Sequence, residues 1–142
     1  MKTDIEKLIP HAGAMCLLER VLEWDATHIR CSSSTHRDAG NPLRVGGALP
    51  AVCGIEYAAQ ALAVHGGLSG AIAGKPTTGY LASLREVTCS EDVLDRVPGD
   101  LVVEAERLMG DEARVIYRFS LKVGETEMLS GRATVVLDAG AA

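Results

Sequence analysis

A single carboxylate stands in the most apolar stretch of the sequence. Residues 51–66, AVCGIEYAAQALAVHG, are apolar on almost every face of a helix, which predicts that this helix is buried. Glu56 lies in its first or second turn, where a carboxylate is costly to bury unless it is paired, protonated or used in catalysis. Because burial disfavours its charged form, Glu56 is a candidate general acid for a leaving hydroxyl. Alternatively, Glu56 interacts with the helix N-terminus and bonds a neighbouring loop.

Other groups near the start of the same helix could orient a ligand. Gln60 lies four residues after Glu56 and therefore on the same helix face. The amides of Ala51, Val52 and Cys53 are expected to lack helical partners and could hold a carbonyl oxygen. Cys53 could act as a nucleophile if those amides lowered its pKa, although a small packing residue fits this position equally well.

The four histidines are candidate bases. His36 lies in a long irregular segment before the helix and is the best placed of the four to reach it. His65 follows Glu56 by nine residues, which turns it about 180° round the helix and away from the carboxylate. His11 and His28 are expected to be structural or exposed. No H-E-x-x-H or related spacing is present, so no metal site is expected.

Composition limits the class of protein. The chain has 142 residues, of which 47% are hydrophobic and 23% charged, and this is typical of one globular domain. The net charge is −5 and the 14 Lys and Arg residues are not clustered, which argues against nucleic acid and membrane surfaces as partners. No signal peptide opens the sequence, so a cytoplasmic location is expected. The four cysteines lack C-x-x-C spacing and are expected to be reduced.

The order of the elements indicates a sheet wrapped around the helix. The T-x-x-E spacing at residues 3–6 predicts a short helix over residues 4–8. Because the predicted strands occur in runs and do not alternate with helices, the class is α+β with an antiparallel sheet. Alanines of the central helix would let that sheet approach its backbone closely. Strands are predicted on both sides of the helix, at about residues 16–24, 28–34, 79–88, 101–109, 113–122 and 127–137.

Two segments resemble the hotdog-fold 3-hydroxyacyl-[acyl-carrier-protein] dehydratases. Residues 5–21, IEKLIPHAGAMCLLERV, are similar to the opening pattern L-P-H-R-x-P-x-L-L-v-D-r-V. Residues 49–60, LPAVCGIEYAAQ, are similar to P-G-V-L-x-x-E-A-x-A-Q, with the same spacing of proline, glutamate and glutamine. This second segment contains Glu56, which aligns with the catalytic glutamate of the family.

The resemblance extends over nearly the whole chain. Residues 80–87 and 98–101 resemble the strand and the P-G-D-x-L turn that follow the family's helix. Residues 35–44, THRDAGNPLR, are similar to the T-H-R-x-x-x-N-P-L-R motif of a small bacterial branch. The members of that branch are predicted hotdog dehydratases linked to aryl-polyene-type pigment synthesis.

The resemblance implies a mechanism in which no metal or organic cofactor is required. A loop histidine of the family removes the Cα proton of an acyl thioester, and the glutamate of the partner's helix protonates the departing 3-hydroxyl. An amide at the helix start holds the thioester carbonyl. Carried over to this chain, Glu56 is the catalytic carboxylate and the amide is near Ala51 or Val52. Dimerisation through the sheet and an acyl tunnel at the dimer interface are also implied.

The family's loop histidine is missing from this sequence. Pro42 stands at its position, counted back from Pro50, and the G-H-F-P motif is absent. If the loop is shortened and follows a different path, His36 could approach Glu56 from the other subunit and act as the base. Asn41 and Arg44 could hold either the loop or the phosphate of the carrier protein.

Three functions therefore remain open. The first is elimination of water from a 3-hydroxyacyl thioester on acyl carrier protein, which gives the trans-2-enoyl thioester. The second is a non-catalytic subunit that binds acyl thioesters or pairs with an active dehydratase. The third is thioester hydrolysis on the same fold. One domain of 142 residues is too small to enclose a long acyl chain alone, which favours a homodimer or a heterodimer with a related hotdog subunit.

Overall fold

Six strands and one long helix occur in the part of the chain that the structure describes. The structure, a computed structural model, describes Ile5 and residues 15–73, 78–96, 98–111 and 113–138. His11 and the predicted helix over residues 4–8, apart from Ile5, lie outside this part of the chain. In chain order the elements are β1 (Arg20–Trp24), β2 (His28–Ser33), a 3₁₀ turn (Thr35–Arg37), a second 3₁₀ turn (Ala51–Cys53), α1 (Gly54–Ala73), β3 (Thr78–Cys89), β4 (Leu101–Gly110), β5 (Arg114–Val123) and β6 (Thr126–Asp138).

The strands form one antiparallel sheet in the order β1-β2-β4-β5-β6-β3. This confirms the predicted α+β class. Strand β1 begins later than the sequence indicates. Residues 16–18 are fully buried, but the backbone of Leu17 bonds side chains and not a neighbouring strand. Its amide donates to Gln60 Oε1, and its carbonyl accepts from the hydroxyls of Ser33 and Thr35.

The sheet curls around α1 and presents alternate residues to it. On β5, Val115, Tyr117, Phe119, Leu121 and Val123 are buried, while the residues between them are exposed or half-buried. This alternation is the pattern of a strand with one face on the core. The helix contacts β2, β3, β4 and β5, so the sheet covers it from several sides.

The helix is not buried all round, which corrects the prediction from its composition. One side carries residues spaced three or four apart that are exposed or half-buried, and this spacing defines a single helix face. We call this face the open stripe; it consists of Val52 at its N-terminal end, followed by Ile55, Glu56, Ala59 and Ala63. The sheet leaves the stripe uncovered, so Glu56 lies at the boundary between the core and the outside of the chain.

Gly131 on β6 marks a close approach between strands. A Cβ atom there would lie 2.9 Å from Phe119 Cζ and 3.2 Å from the backbone Cα of Val87. Phe119 stands directly opposite Gly131 in the β5–β6 ladder and is almost fully buried, so its ring cannot move aside. We expect Gly131→Ala to lower the free energy of unfolding, measured by chemical denaturation, by about 1–3 kcal/mol.

Gly66 on α1 provides the control for that variant. No atom lies within 4 Å of the position of its Cβ, and the residue is half-buried. Gly66→Ala should raise the free energy of unfolding by about 0.5–1 kcal/mol because alanine loses less backbone entropy in a helix. Effects of the same sign in the two variants would contradict this description of the packing.

Strand β3 forms one edge of the sheet and is unusually exposed. It pairs with β6 on one side and with no described strand on the other. From Leu81 to Cys89 every side chain is exposed or half-buried, and Leu81 and Leu84 keep 42% and 37% of their surface. A long edge strand with unpaired backbone groups and exposed leucines is a surface on which another strand can pair.

Candidate active site

Glu56 lies in the first turn of α1, on the open stripe. Its side chain is half-buried, and Val52, one turn earlier, keeps 60% of its surface. A small apolar gap continues from the stripe towards β3 and is lined by Ile55, Ala58, Ala59, Leu62, Leu81, Leu84, Phe119 and Ala133. The Glu56 carboxylate therefore lies beside an apolar surface formed by the open stripe and this gap. Such an arrangement suits an acyl chain attached to a polar reacting group.

Only one of the three predicted free amides is available. The amide of Ala51 donates to Asp92 O at 2.8 Å, and that of Cys53 donates to Pro50 O at 3.0 Å. The prediction is therefore wrong for the amides of Ala51 and Cys53. The first bonds the segment after β3, and the second closes the 3₁₀ turn. The amide of Val52 makes no hydrogen bond to a described residue. It precedes Glu56 by one helical turn and belongs to the same stripe.

Cys53 does not have the properties of a nucleophile. Its Sγ lies 3.8 Å from Leu43 O, and burial raises the pKa of its thiol. This direction is opposite to the lowered pKa that the nucleophile hypothesis requires. All four cysteines of the chain are free.

Gln60 braces the segment before β1. The side chain is fully buried; its Oε1 accepts from the amide of Leu17 at 2.9 Å and its Nε2 donates to Met15 O at 2.6 Å. Although Gln60 follows Glu56 by one turn, it points into the chain and not along the open stripe. The structure thus does not bring these two predicted site residues to one surface.

His36 is enclosed by its own chain. It lies in the 3₁₀ turn after β2, is 0% exposed, and neither ring nitrogen hydrogen-bonds a described residue. Burial, followed by the charge of Arg37, lowers the pKa of His36, while the backbone of Gly99 and the carboxylates of Asp100 and Asp95 act in the opposite direction. The imidazole is therefore neutral at pH 7, which is the form that a general base requires.

Two ion pairs close the loops over His36. Arg37 Nη2 lies 3.0 Å from Asp100 Oδ1, and Arg44 Nη2 lies 2.7 Å from Asp95 Oδ2. Arg44 also donates to His36 O at 3.3 Å. Of the two roles open to Arg44, the contacts present are those of a loop brace.

Asn41 has a similar bracing position. Its Nδ2 donates to Thr35 O at 2.8 Å and to the hydroxyl of Tyr57 at 3.0 Å, and its Oδ1 accepts from the amide of Leu43. Neither Tyr57 nor Thr35 was predicted from the sequence to belong to the site. The sequence did contain a signal for Tyr57, because it is a tyrosine in a helix of small aliphatic residues and only 4% of the chain is aromatic. A buried tyrosine usually finds a hydrogen-bond partner for its hydroxyl.

His65 belongs to a separate network. Its Nε2 donates to Asp25 O at 2.8 Å, so its Nδ1 is the acceptor for the hydroxyl of Tyr117 at 2.6 Å. Burial lowers the pKa of His65 and raises that of Tyr117 to about 12. These contacts attach α1 to the β1–β2 turn and to β5, and they agree with the predicted orientation of His65 away from Glu56.

The two buried histidines make the stability of the fold depend on pH. Burial lowers the pKa of both His36 and His65 below the ordinary value of 6.5, so the unfolded chain binds more protons than the folded chain just below that pH. The contribution of the two neutral histidines to the free energy of unfolding is fully present above pH 6.5. It is lost as the pH falls from 6.5 towards their lowered pKa values. Chemical denaturation at about pH 7.5 and about pH 5.5 should show a smaller free energy of unfolding at the lower pH. An equal free energy at both values, or the same loss in the double variant His36→Gln, His65→Gln, would contradict this assignment.

A hollow of about 420 Å³ lies on the outer face of the sheet, away from α1. Its charged lining includes cross-strand ion pairs, Arg118–Glu106 at 3.6 Å and Arg132–Glu86 at 3.3 Å. Such pairs are typical of a solvated sheet face. Within the described ranges no group of His, Cys, Asp and Glu side chains could hold a metal ion, and no helix there is long and apolar enough to cross a membrane.

A six-stranded antiparallel sheet curled around one central helix is the hotdog fold, which solved dehydratase and thioesterase structures share. The chain itself belongs to the ApeP-like family, described as ApeP dehydratase, whose family model matches residues 3–140. This confirms both the resemblance and the fold inferred from the sequence. A search of curated protein sequences gave no significant match.

Solved structures agree with this assignment. The chain is similar to one in the dehydratase heterocomplex ApeI:P from Xenorhabdus doucetiae, with a TM-score of 0.83, 25% identity, and coverage of 94% of this chain and 90% of that one. A hypothetical thioesterase from Streptococcus pneumoniae, solved with coenzyme A, has a TM-score of 0.62, 10% identity and 96% coverage of both chains. A mutant thioesterase from Pseudomonas aeruginosa has a TM-score of 0.62 and 11% identity, with coverage of 96% and 93%. At these low identities the thioesterases share the fold alone.

Proposed function

We propose that this chain is a subunit of a dehydratase that removes water from a 3-hydroxyacyl thioester on acyl carrier protein and gives the trans-2-enoyl thioester. Membership of the ApeP-like dehydratase family is the observation that carries the reaction class. The half-buried Glu56 on the open stripe supports the location of the site.

The proposed reaction divides two proton transfers between two side chains of this chain, whereas the resemblance places the glutamate on the partner's helix. The neutral imidazole of His36 takes the Cα proton, and the electron pair of that C–H bond forms the double bond. The Cβ–O bond breaks, and Glu56 gives its proton to the departing hydroxyl, which leaves as water. The amide of Val52 would donate to the thioester oxygen while negative charge develops there. The elimination involves no net oxidation or reduction and uses only groups of the protein, so the proposed scheme requires no metal or organic cofactor.

We further propose that the site is completed by a related hotdog subunit paired along β3. The exposed edge, with Leu81 and Leu84 on it, supports this pairing. The similar chain from X. doucetiae comes from a dehydratase heterocomplex, which supports a heterodimer. The second subunit would cover the open stripe and enclose the apolar gap beside it, which would form a tunnel for the acyl chain.

A second candidate function is a subunit that binds the acyl thioester and supplies Glu56 without supplying the base. Two observations favour it: Pro42 stands where the family has its histidine, and His36 is completely enclosed by its own chain. In that arrangement the base would come from the other subunit of the heterodimer.

The test uses a 3-hydroxybutyryl thioester of acyl carrier protein as substrate. The chain is assayed alone and together with a co-expressed related hotdog subunit, and both the enoyl thioester and free carrier thiol are measured. We expect the enoyl product without release of thiol. Both candidates place the site between two subunits, so activity is expected only in the mixture. Within the mixture, loss of turnover in His36→Gln favours His36 as the base, and unchanged turnover favours the second candidate. Thiol release without enoyl product would overturn the proposal.

A further inference from the structure

We propose that Tyr57 is a positioning residue for this reaction: its buried hydroxyl holds the turn that carries His36 against the helix that carries Glu56. The inference rests on the proposed function, in which His36 and Glu56 act on the substrate. Tyr57 is next to Glu56 in sequence, and its hydroxyl bonds Thr35, which is next to His36.

The hydroxyl of Tyr57 lies at the centre of a buried hydrogen-bond network. It is 2.7 Å from Thr35 Oγ1 and accepts from Asn41 Nδ2 at 3.0 Å. The Thr35 hydroxyl donates to Leu17 O at 2.7 Å, and that of Ser33 donates to the same carbonyl at 2.6 Å. Because Thr35 uses its single proton on Leu17, the Tyr57 hydroxyl is the donor to Thr35. The network thus connects α1 to the end of β2, the following turn and the segment before β1.

Side chains hold the peptide groups on both sides of His36. Asn41 Nδ2 donates to Thr35 O at 2.8 Å, and this carbonyl belongs to the peptide that precedes His36. Arg44 Nη1 donates to the carbonyl of His36 itself at 3.3 Å. Since Tyr57 bonds both Thr35 and Asn41, its hydroxyl contributes to the position of the turn from two directions.

The imidazole of His36 depends on this support. It is fully buried, and neither of its nitrogens has a hydrogen bond to a described residue. Apart from the nearby backbone of Gly99, which raises its pKa, no described polar group holds the ring, so its placement follows mainly from the backbone of the turn and from packing. A base must meet its proton within hydrogen-bond reach, and a small displacement of the turn would therefore slow the reaction.

Tyr57→Phe removes the link without removing the fold. Asn41 Nδ2 keeps its bond to Thr35 O, and the Thr35 hydroxyl keeps its bond to Leu17 O, so one N–H of Asn41 is the group that loses its acceptor. The aromatic ring remains to fill the core. Tyr117→Phe is the matched control, because Tyr117 is also buried but its hydroxyl bonds His65 in the separate network.

The first readout is the titration of His36 by NMR in the full chain, with its signal assigned through His36→Gln. Burial and Arg37 lower the pKa of His36, whereas the Gly99 backbone, Asp100 and Asp95 raise it. A loosened turn admits water and relieves the burial. We therefore expect Tyr57→Phe to raise the pKa of His36 towards the ordinary value of 6.5, and Tyr117→Phe to leave it unchanged.

The second readout is turnover of the 3-hydroxybutyryl carrier protein by the complex. Tyr57→Phe should lower kcat by about tenfold or more, with KM within about twofold, because the substrate still binds but meets a displaced base. Tyr117→Phe should change neither constant. An unchanged His36 titration with unchanged kcat in Tyr57→Phe would overturn the inference, as would equal losses in both variants. If Glu56→Gln keeps full turnover, the proposed function fails instead, and the titration of His36 still decides whether Tyr57 positions the turn.

Discussion

Glu56→Gln is expected to lower the dehydration turnover of the complex by about 10²–10⁴-fold, the usual contribution of a general acid. Glutamine has nearly the same shape and stays polar at the boundary of the core, but its amide cannot deliver a proton to the departing hydroxyl. KM should therefore change little while kcat falls. The measurement is formation of the enoyl thioester from the 3-hydroxybutyryl carrier protein under saturating conditions.

Glu104→Gln provides the matched control for this variant. Glu104 is a half-buried carboxylate on the outer face of β4, where it lies 3.9 Å from His28 and far from the open stripe. Its replacement should leave turnover unchanged. Full turnover in Glu56→Gln, or equal losses in the two variants, would remove Glu56 from the reaction.

His36→Gln is expected to have the second largest effect, a loss of about 10²–10⁴-fold in turnover, because glutamine cannot take the Cα proton. Glutamine fills most of the space of the imidazole, so the buried turn after β2 should keep its fold. Turnover is measured in the complex, and folding is checked by chemical denaturation.

His28→Gln is the control, since His28 is half-buried on the outer face of β2 and belongs to neither network. If His36→Gln keeps turnover while Glu56→Gln loses it, His36 is not the base. The second candidate function would then hold, with this chain supplying the acid and the other subunit supplying the base.

The fold was largely predictable because its signals are local. The apolar run after Pro50 specifies a helix, and strand periodicity with Gly-rich turns specifies the meander on its far side. The resemblance to the hotdog dehydratases joined these elements into one architecture, which the family match confirms. Glu56 stood out for the same reason: a charge in an apolar helix is visible without knowledge of its surroundings.

The site was less predictable because its contacts connect residues far apart in the chain. Helical spacing places Gln60 one turn after Glu56 but does not show that Gln60 bonds Met15 and Leu17. Likewise, a helix start suggests free amides, yet the amide of Ala51 is used by Asp92, which lies beyond α1 and β3.

Which face of the helix the sheet covers is also a property of the whole fold. Composition alone suggested that α1 is buried on all sides. The strands, however, approach from several directions and leave the open stripe, so the position of Glu56 at a boundary could be learned only from the structure.

The intact mass of the carrier protein reports whether the complex removes water from the acyl group through Glu56. The 3-hydroxybutyryl carrier protein is incubated with the wild-type complex and with the Glu56→Gln complex, and its mass is followed by mass spectrometry. We expect loss of one water from the acyl group with the wild type, and an unchanged mass over the same time with the variant. Release of the whole acyl group, or equal loss of water with both proteins, would contradict it.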